Sequence, residues 1–125
     1  MDSQHSDTDL AFADMLAALG SATRLQLFRL LVRAGPEGRT VGAVKRDMGI
    51  PASTLAHHLG ALVQAGLVEQ TKVGREVRSA VRYGATDALV AYLTEACCAD
   101  SDDTAGHTHL LNQAGSQKSA KELAT

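Results

Sequence analysis

The sequence predicts a single, mainly α-helical domain carrying one β-hairpin, on three observations. Apolar residues make up 45% of the 125-residue chain, yet it has only two Phe, two Tyr and no Trp. Such a supply of Leu, Val and Ala suits helix packing better than a sandwich, whose strands draw on aromatic and β-branched side chains. Apolar residues recur at helical intervals through most of the chain, and only the stretch from Leu67 to Tyr83 alternates apolar with polar. The length suffices for one core and one domain.

Leu10, Met15, Leu16 and Leu19 predict a first helix over about Thr8–Leu19, stopped by Gly20. Ser21 is the N-cap of a second, with Leu25, Phe28, Leu31 and Val32 as its apolar stripe and its end near Ala34, before Gly35 and Pro36. GPEGR reads as a turn. Thr40 caps a short third helix through Met48 that buries Val41, Val44 and Met48, and Gly49 ends it. Ala52 or Ser53 opens a fourth, with Leu55, Leu59, Leu62 and Val63 on one face and Gly66 as its close. LVEQTKV and VRSAVRY then flank Gly74-Arg75 as a hairpin whose tip carries Lys72 and Arg75. A last helix is expected from about Thr86 to Cys98, with Leu89, Val90, Leu93 and Cys97 along one side. Two helices joined by a tight turn and followed by a basic hairpin make a winged helix-turn-helix. That domain is expected over 1–98, and 99–125, with little to bury, is expected to be a disordered acidic and polar tail.

The net charge of −2 conceals a segregation. Gly20 to Tyr83 carries +6, while residues 1–19 and 84–125 carry −4 each. A basic centre on this fold points to double-stranded DNA as the partner. In the fourth helix His57 lies nearly opposite the leucine stripe, with Ser53, Gly60 and Gln64 on the same side. Ser53, Thr54 and His57 are therefore candidate readers of base edges or phosphates, with Gln64 beside them. Ser53 and Thr54 serve equally as helix caps, and His57 as an ordinary exposed histidine. Lys72 and Arg75 on the wing suit phosphate contact. His58, at the stripe boundary, is expected to bond within the protein.

Cys97 and Cys98 are the only cysteines. Adjacent residues on a helix diverge by about 100°, so both sulfurs meet one ion only if the helix end unwinds. As thiolates they would take a soft ion such as trivalent arsenic, mercury or cadmium; as plain thiols they are small apolar residues, Cys97 packing on the helix face. The tail groups Asp100, Asp102, Asp103, His107 and His109 do not complete a four-ligand zinc site.

ALGSATRLQLFRLL and IPASTLAHHLGALVQAGLVEQTKVGREVRSAVRY resemble the bacterial ArsR/SmtB winged-helix repressors over about Leu16 to Cys98. The resemblance implies a homodimer built on the first and last helices, a palindromic operator, and release by an inducer ion with no cofactor required. YLTEACC resembles the arsenic-responsive subgroup with vicinal C-terminal cysteines, implying Cys97 and Cys98 as ligands for trivalent arsenic, inorganic or methylated. The chain departs from that pattern in having no cysteine in the third helix and no third cysteine after the pair.

Enzymatic activity is not expected: a thiol-dependent reductase would call for a CxxC motif, a cysteine at a helix N-terminus or a phosphate-cradling glycine loop, and the chain has none of these. A repressor answering another soft ion, one with no inducer, and a protein-interaction module are the other readings. The acidic, polar opening and the lack of eighteen consecutive apolar residues predict a cytoplasmic protein without membrane contact.

Overall fold

A computed structural model describes residues 5–101. The chain forms two units, one ending at Leu93 and one opening at Thr94. The first holds α1 (Asp7–Leu19), α2 (Ala22–Ala34), β1 (Arg39–Thr40), α3 (Val41–Met48), α4 (Ala52–Gln64), β2 (Val68–Val73), β3 (Glu76–Val81) and most of α5 (Tyr83–Thr94). It is the winged helix-turn-helix expected from the sequence. Among the described residues no single helix is long and apolar enough to cross a membrane.

Local chemistry sets the helix starts. Ser6, Ser21 and Thr40 each accept a hydrogen bond from the amide three residues on, which satisfies one orphan donor in the first turn of α1, α2 and α3. Gly49 ends α3 in the left-handed region, at φ 67. The wing pairs Val68 with Val81 through to Val73 with Glu76 around Gly74-Arg75. Gly74 takes φ 64, the conformation that a two-residue hairpin with glycine first demands.

The sheet has a third strand, where the sequence predicts the end of a turn at Arg39 and a helix cap at Thr40. Arg39 and Thr40 pair antiparallel with Ser79 and Arg78, giving the order β1-β3-β2. Two residues are too few to show a period of two, so the strand left no pattern to read. Gly38 makes the approach possible: it sits at φ 71, and a Cβ there would lie 2.2 Å from the Ser79 carbonyl oxygen. Arg78 closes the seam, its Nε donating to the Glu37 carbonyl at 3.1 Å and its Nη2 to that of Gly38 at 3.4 Å.

Leu27, Leu31, Val44, Leu55, Leu62, Leu67 and Val68 are fully buried in one core, with Phe28 and Leu59 beside them. The stripe of α2 is therefore rotated from the expected one: Leu27 is inside, whereas Leu25 and Val32 are exposed. Val63 on α4, and Val90 and Leu93 on α5, are exposed as well. Leu10 and Leu16 of α1 are exposed, like Val90 and Leu93 of α5. These two helices are clasped by Phe12 stacked on Tyr92, ring centroids 4.3 Å apart, and by the Tyr92 hydroxyl donating to Asp9, which holds that carboxyl below its ordinary range.

The last helix stops at Thr94 rather than near Cys98. From Glu95 to Asp100 every side chain but Cys98 is exposed, so no buried side anchors a further α-helical turn. The backbone instead makes successive i→i+3 bonds, Cys97 N–H to Thr94, Ala99 N–H to Ala96 and Ser101 N–H to Cys98.

Candidate nucleic-acid interface and cysteine turn

The helix-turn-helix is α3, a turn at Gly49–Pro51, and α4. Burying Leu55, Leu59 and Leu62 turns Ser53, His57, Gly60 and Gln64 outward, and all four are exposed; Thr54 is half-buried. Pro51 is the N-cap of α4 and no side chain bonds its first turn. Ser53 and Thr54 are thus not caps. The first-turn amides of a thirteen-residue helix, with the positive end of its dipole, face the same region, a disposition that suits a phosphate.

The wing adds exposed Lys72 in β2 and Arg75 at the turn. One cation escaped the sequence reading. Arg46 of α3 lines a groove with Gly42, Arg75 and Glu76, so the wing tip and the first helix of the motif bring two arginines and one carboxylate to one channel. The signal was present as Gly42 and Arg46 one helical turn apart, where a glycine leaves room for the long side chain. Other cations are committed to the fold itself: Arg78 as described, Arg39 to Asp47 at 2.8 Å, and Arg24 to His58. The +6 centre therefore overstates the charge presented to a ligand.

His58 bonds internally, as expected. Its Nδ1 lies 3.4 Å from Arg24 Nη1, and burial first, then the charges of Arg24 and His57, lower its pKa from the ordinary 6.5.

In the second unit Cys97 is exposed and Cys98 half-buried, neither in a disulfide. Ala96 and Cys98 take φ 62 and 68, and that local unwinding brings the two Sγ atoms to 3.4 Å. Two sulfur–metal bonds of about 2.3 Å meeting near a right angle span roughly 3.3 Å, so the pair has the bite for one soft ion. Burial, the hydrogen bond to Cys97 and the charge of Cys97 raise the Cys98 pKa above the ordinary 9.0, so the two thiols do not readily ionise together. Among the described residues no three His, Cys, Asp or Glu side chains converge as a metal cluster. Asp100 is exposed, and Asp102, Asp103, His107 and His109 lie outside the described residues.

Residues 19–71, from the end of α1 through α2, α3, α4 and most of β2, match the model of a helix-turn-helix domain family. Among solved structures, the chain is similar to an ArsR-like transcriptional regulator from Rhodococcus sp. RHA1, with 26% identity and a TM-score of 0.66 over 85% of this chain and 96% of that one. It is similar to the transcriptional repressor BigR from Xylella fastidiosa, with 28% identity and a TM-score of 0.53 over 69% and 85%. A homodimeric winged helix-turn-helix DNA-binding domain from Mycobacterium bovis shares 28% identity, with a TM-score of 0.52 over 74% and 90%. The search of curated proteins gives no match. The likeness is to transcriptional regulators and, in the Mycobacterium bovis protein, to a DNA-binding domain.

Proposed function

We propose that this chain, a winged helix-turn-helix DNA-binding transcriptional regulator of the ArsR type, is a cytoplasmic repressor whose homodimer leaves its operator when trivalent arsenic binds Cys97 and Cys98. The observation that carries the arsenic reading is the 3.4 Å separation of the two sulfurs on an unwound turn. Arsenite exchanges hydroxyl for thiol, each exchange releasing one water, and has three such positions. A methylated trivalent arsenical has two, so two cysteines saturate it. The pair therefore suits the methylated form, while inorganic arsenite takes its third contact from water or a small thiol.

On the DNA side Ser53, Thr54, His57 and Gln64 face the major groove, and Lys72 and Arg75 meet phosphates, with Arg46 in the groove beside Arg75. The exposed Leu10, Leu16, Val90 and Leu93 of α1 and α5 supply the dimer contact, in keeping with the homodimeric Mycobacterium bovis domain. The vicinal thiols follow α5 directly in the chain, so a ligand there strains the helix that holds the partner and changes the spacing of the two reading helices. A coupling of about 1–3 kcal/mol would weaken DNA binding some 5- to 150-fold.

Intact-mass measurement of the reduced protein with methylarsenite tests the site. One arsenical per protomer with loss of two titratable thiols is expected, and Cys97→Ser or Cys98→Ser should abolish it. An adduct that survives in the double substitution would place the arsenical elsewhere; mercury or cadmium binding without arsenic would move the repressor to another soft ion.

A further inference from the structure

We infer that Arg24 is a positioning residue for DNA reading, and that the His58 ring it holds makes the set of the recognition helix depend on protonation. The inference rests on the DNA-binding reading and not on arsenic. Arg24 stands where three helices meet. It begins on α2, its backbone N–H bonded to Ser21 Oγ at 3.3 Å; its Nε donates to the Ala18 carbonyl in the last turn of α1 at 2.7 Å; its Nη1 reaches His58 Nδ1 on α4 at 3.4 Å. A guanidinium only donates, so His58 Nδ1 accepts, and the ring is neutral with its proton on Nε2. Protonating Nδ1 removes the acceptor and sets two cations against each other.

The charges that act on His58 are Arg24 from α2 and His57 from its own helix; α1 and β2, also packed on α4, add none. His57 is its neighbour, ring centroids 5.5 Å apart, but is exposed on the side that faces DNA. A charged His58 breaks the tie between α4 and the α1–α2 corner and loosens DNA binding. Neutral His58 holds the reading helix in register with the helices that form the dimer.

The test is fluorescence anisotropy of the intact protein on a labelled duplex of the DNA upstream of its own gene, from about pH 8 down to about pH 5.5. In the His57→Gln protein the affinity should fall at least about fivefold on acidification. His57→Gln/His58→Gln keeps an acceptor for Arg24 in the glutamine oxygen but cannot charge there, and should lose that fall. Histidines elsewhere are common to all variants and cancel in the comparison. Parallel pH profiles for His57→Gln and the double variant would overturn the inference while leaving DNA binding intact. Binding by none of the proteins at any pH would overturn the DNA reading and this inference with it.

Discussion

Arg75 and Arg78 stand three residues apart on the wing and should fail in different ways. Arg75 is exposed at the turn beside the Arg46 channel, whereas Arg78 points back and donates to the carbonyls of Glu37 and Gly38. If Arg75 meets a phosphate, Arg75→Ala removes one such contact per protomer and two per dimer. Each lost contact lowers the slope of log affinity against log salt by about 0.9, so the slope should fall by roughly 1.8. Between about 50 and 200 mM salt, the affinity gap between wild type and variant then narrows about twelvefold. Arg78→Ala should leave the slope unchanged and act on the fold. With the side chain 35% exposed, its two charge-assisted bonds contribute roughly 1 kcal/mol after screening, a melting-point loss of about 4–8 °C for a domain of this size. Anisotropy at several salt concentrations, with thermal melts alongside, separates the two. A salt slope reduced equally by both substitutions would refute the division of the wing into a phosphate-facing arginine and a seam arginine.

Gly38→Ala puts a Cβ against the Ser79 carbonyl at a positive φ, and should cost about 1–3 kcal/mol and unpair β1 from β3, read by melting and by amide exchange at Arg39 and Thr40. Leu62→Ala, at a fully buried position in the core, should cost about 2–5 kcal/mol in denaturant unfolding with DNA contacts unchanged in the folded fraction. The lowered His58 pKa has a defined sign: the unfolded chain binds the proton more readily, so its contribution is complete above 6.5, declines as pH falls below that value, and stops declining once pH passes the native pKa. His58→Gln should remove this component from the pH dependence of the melting temperature. Uptake of arsenite, which releases water and no net proton, should vary little between about pH 6.5 and 8.5, whereas cadmium uptake should strengthen with pH because it displaces thiol protons, the Cys98 proton being held above its ordinary pKa.

The features that could be read ahead of the structure were those carried by local chemistry. Ser21, Thr40 and Gly49 bound α2 and α3 through bonds made within a few residues, and the alternation on either side of Gly74-Arg75 is a property of the hairpin itself. Features settled by distant partners were not legible. Leu25 and Leu27 are equivalent as residue types, and which of them enters the core depends on where α4 and β3 lie. The structural duty of Arg78 depends on a loop forty residues away, and in the sequence it counted only as one more cation. The outward face of His57 followed from helical geometry alone, since the leucines opposite it left no other side to bury. The approach of the two sulfurs required a helix end that propensity does not predict, because Glu95 and Ala96 are good helix formers and it is the lack of a buried side that ends α5.

The central claim is that two adjacent thiols convert arsenic into loss of DNA binding. Its most direct test is a titration of the protein–DNA complex, followed by fluorescence anisotropy on the DNA upstream of its own gene, with methylarsenite and arsenite in parallel, for the reduced wild type and for Cys97→Ser/Cys98→Ser. Release of the wild type at near-stoichiometric methylarsenite, with the double variant bound to DNA and unresponsive, is the predicted result. A double variant released as readily as the wild type, or a wild type that holds DNA through both titrations, would contradict it.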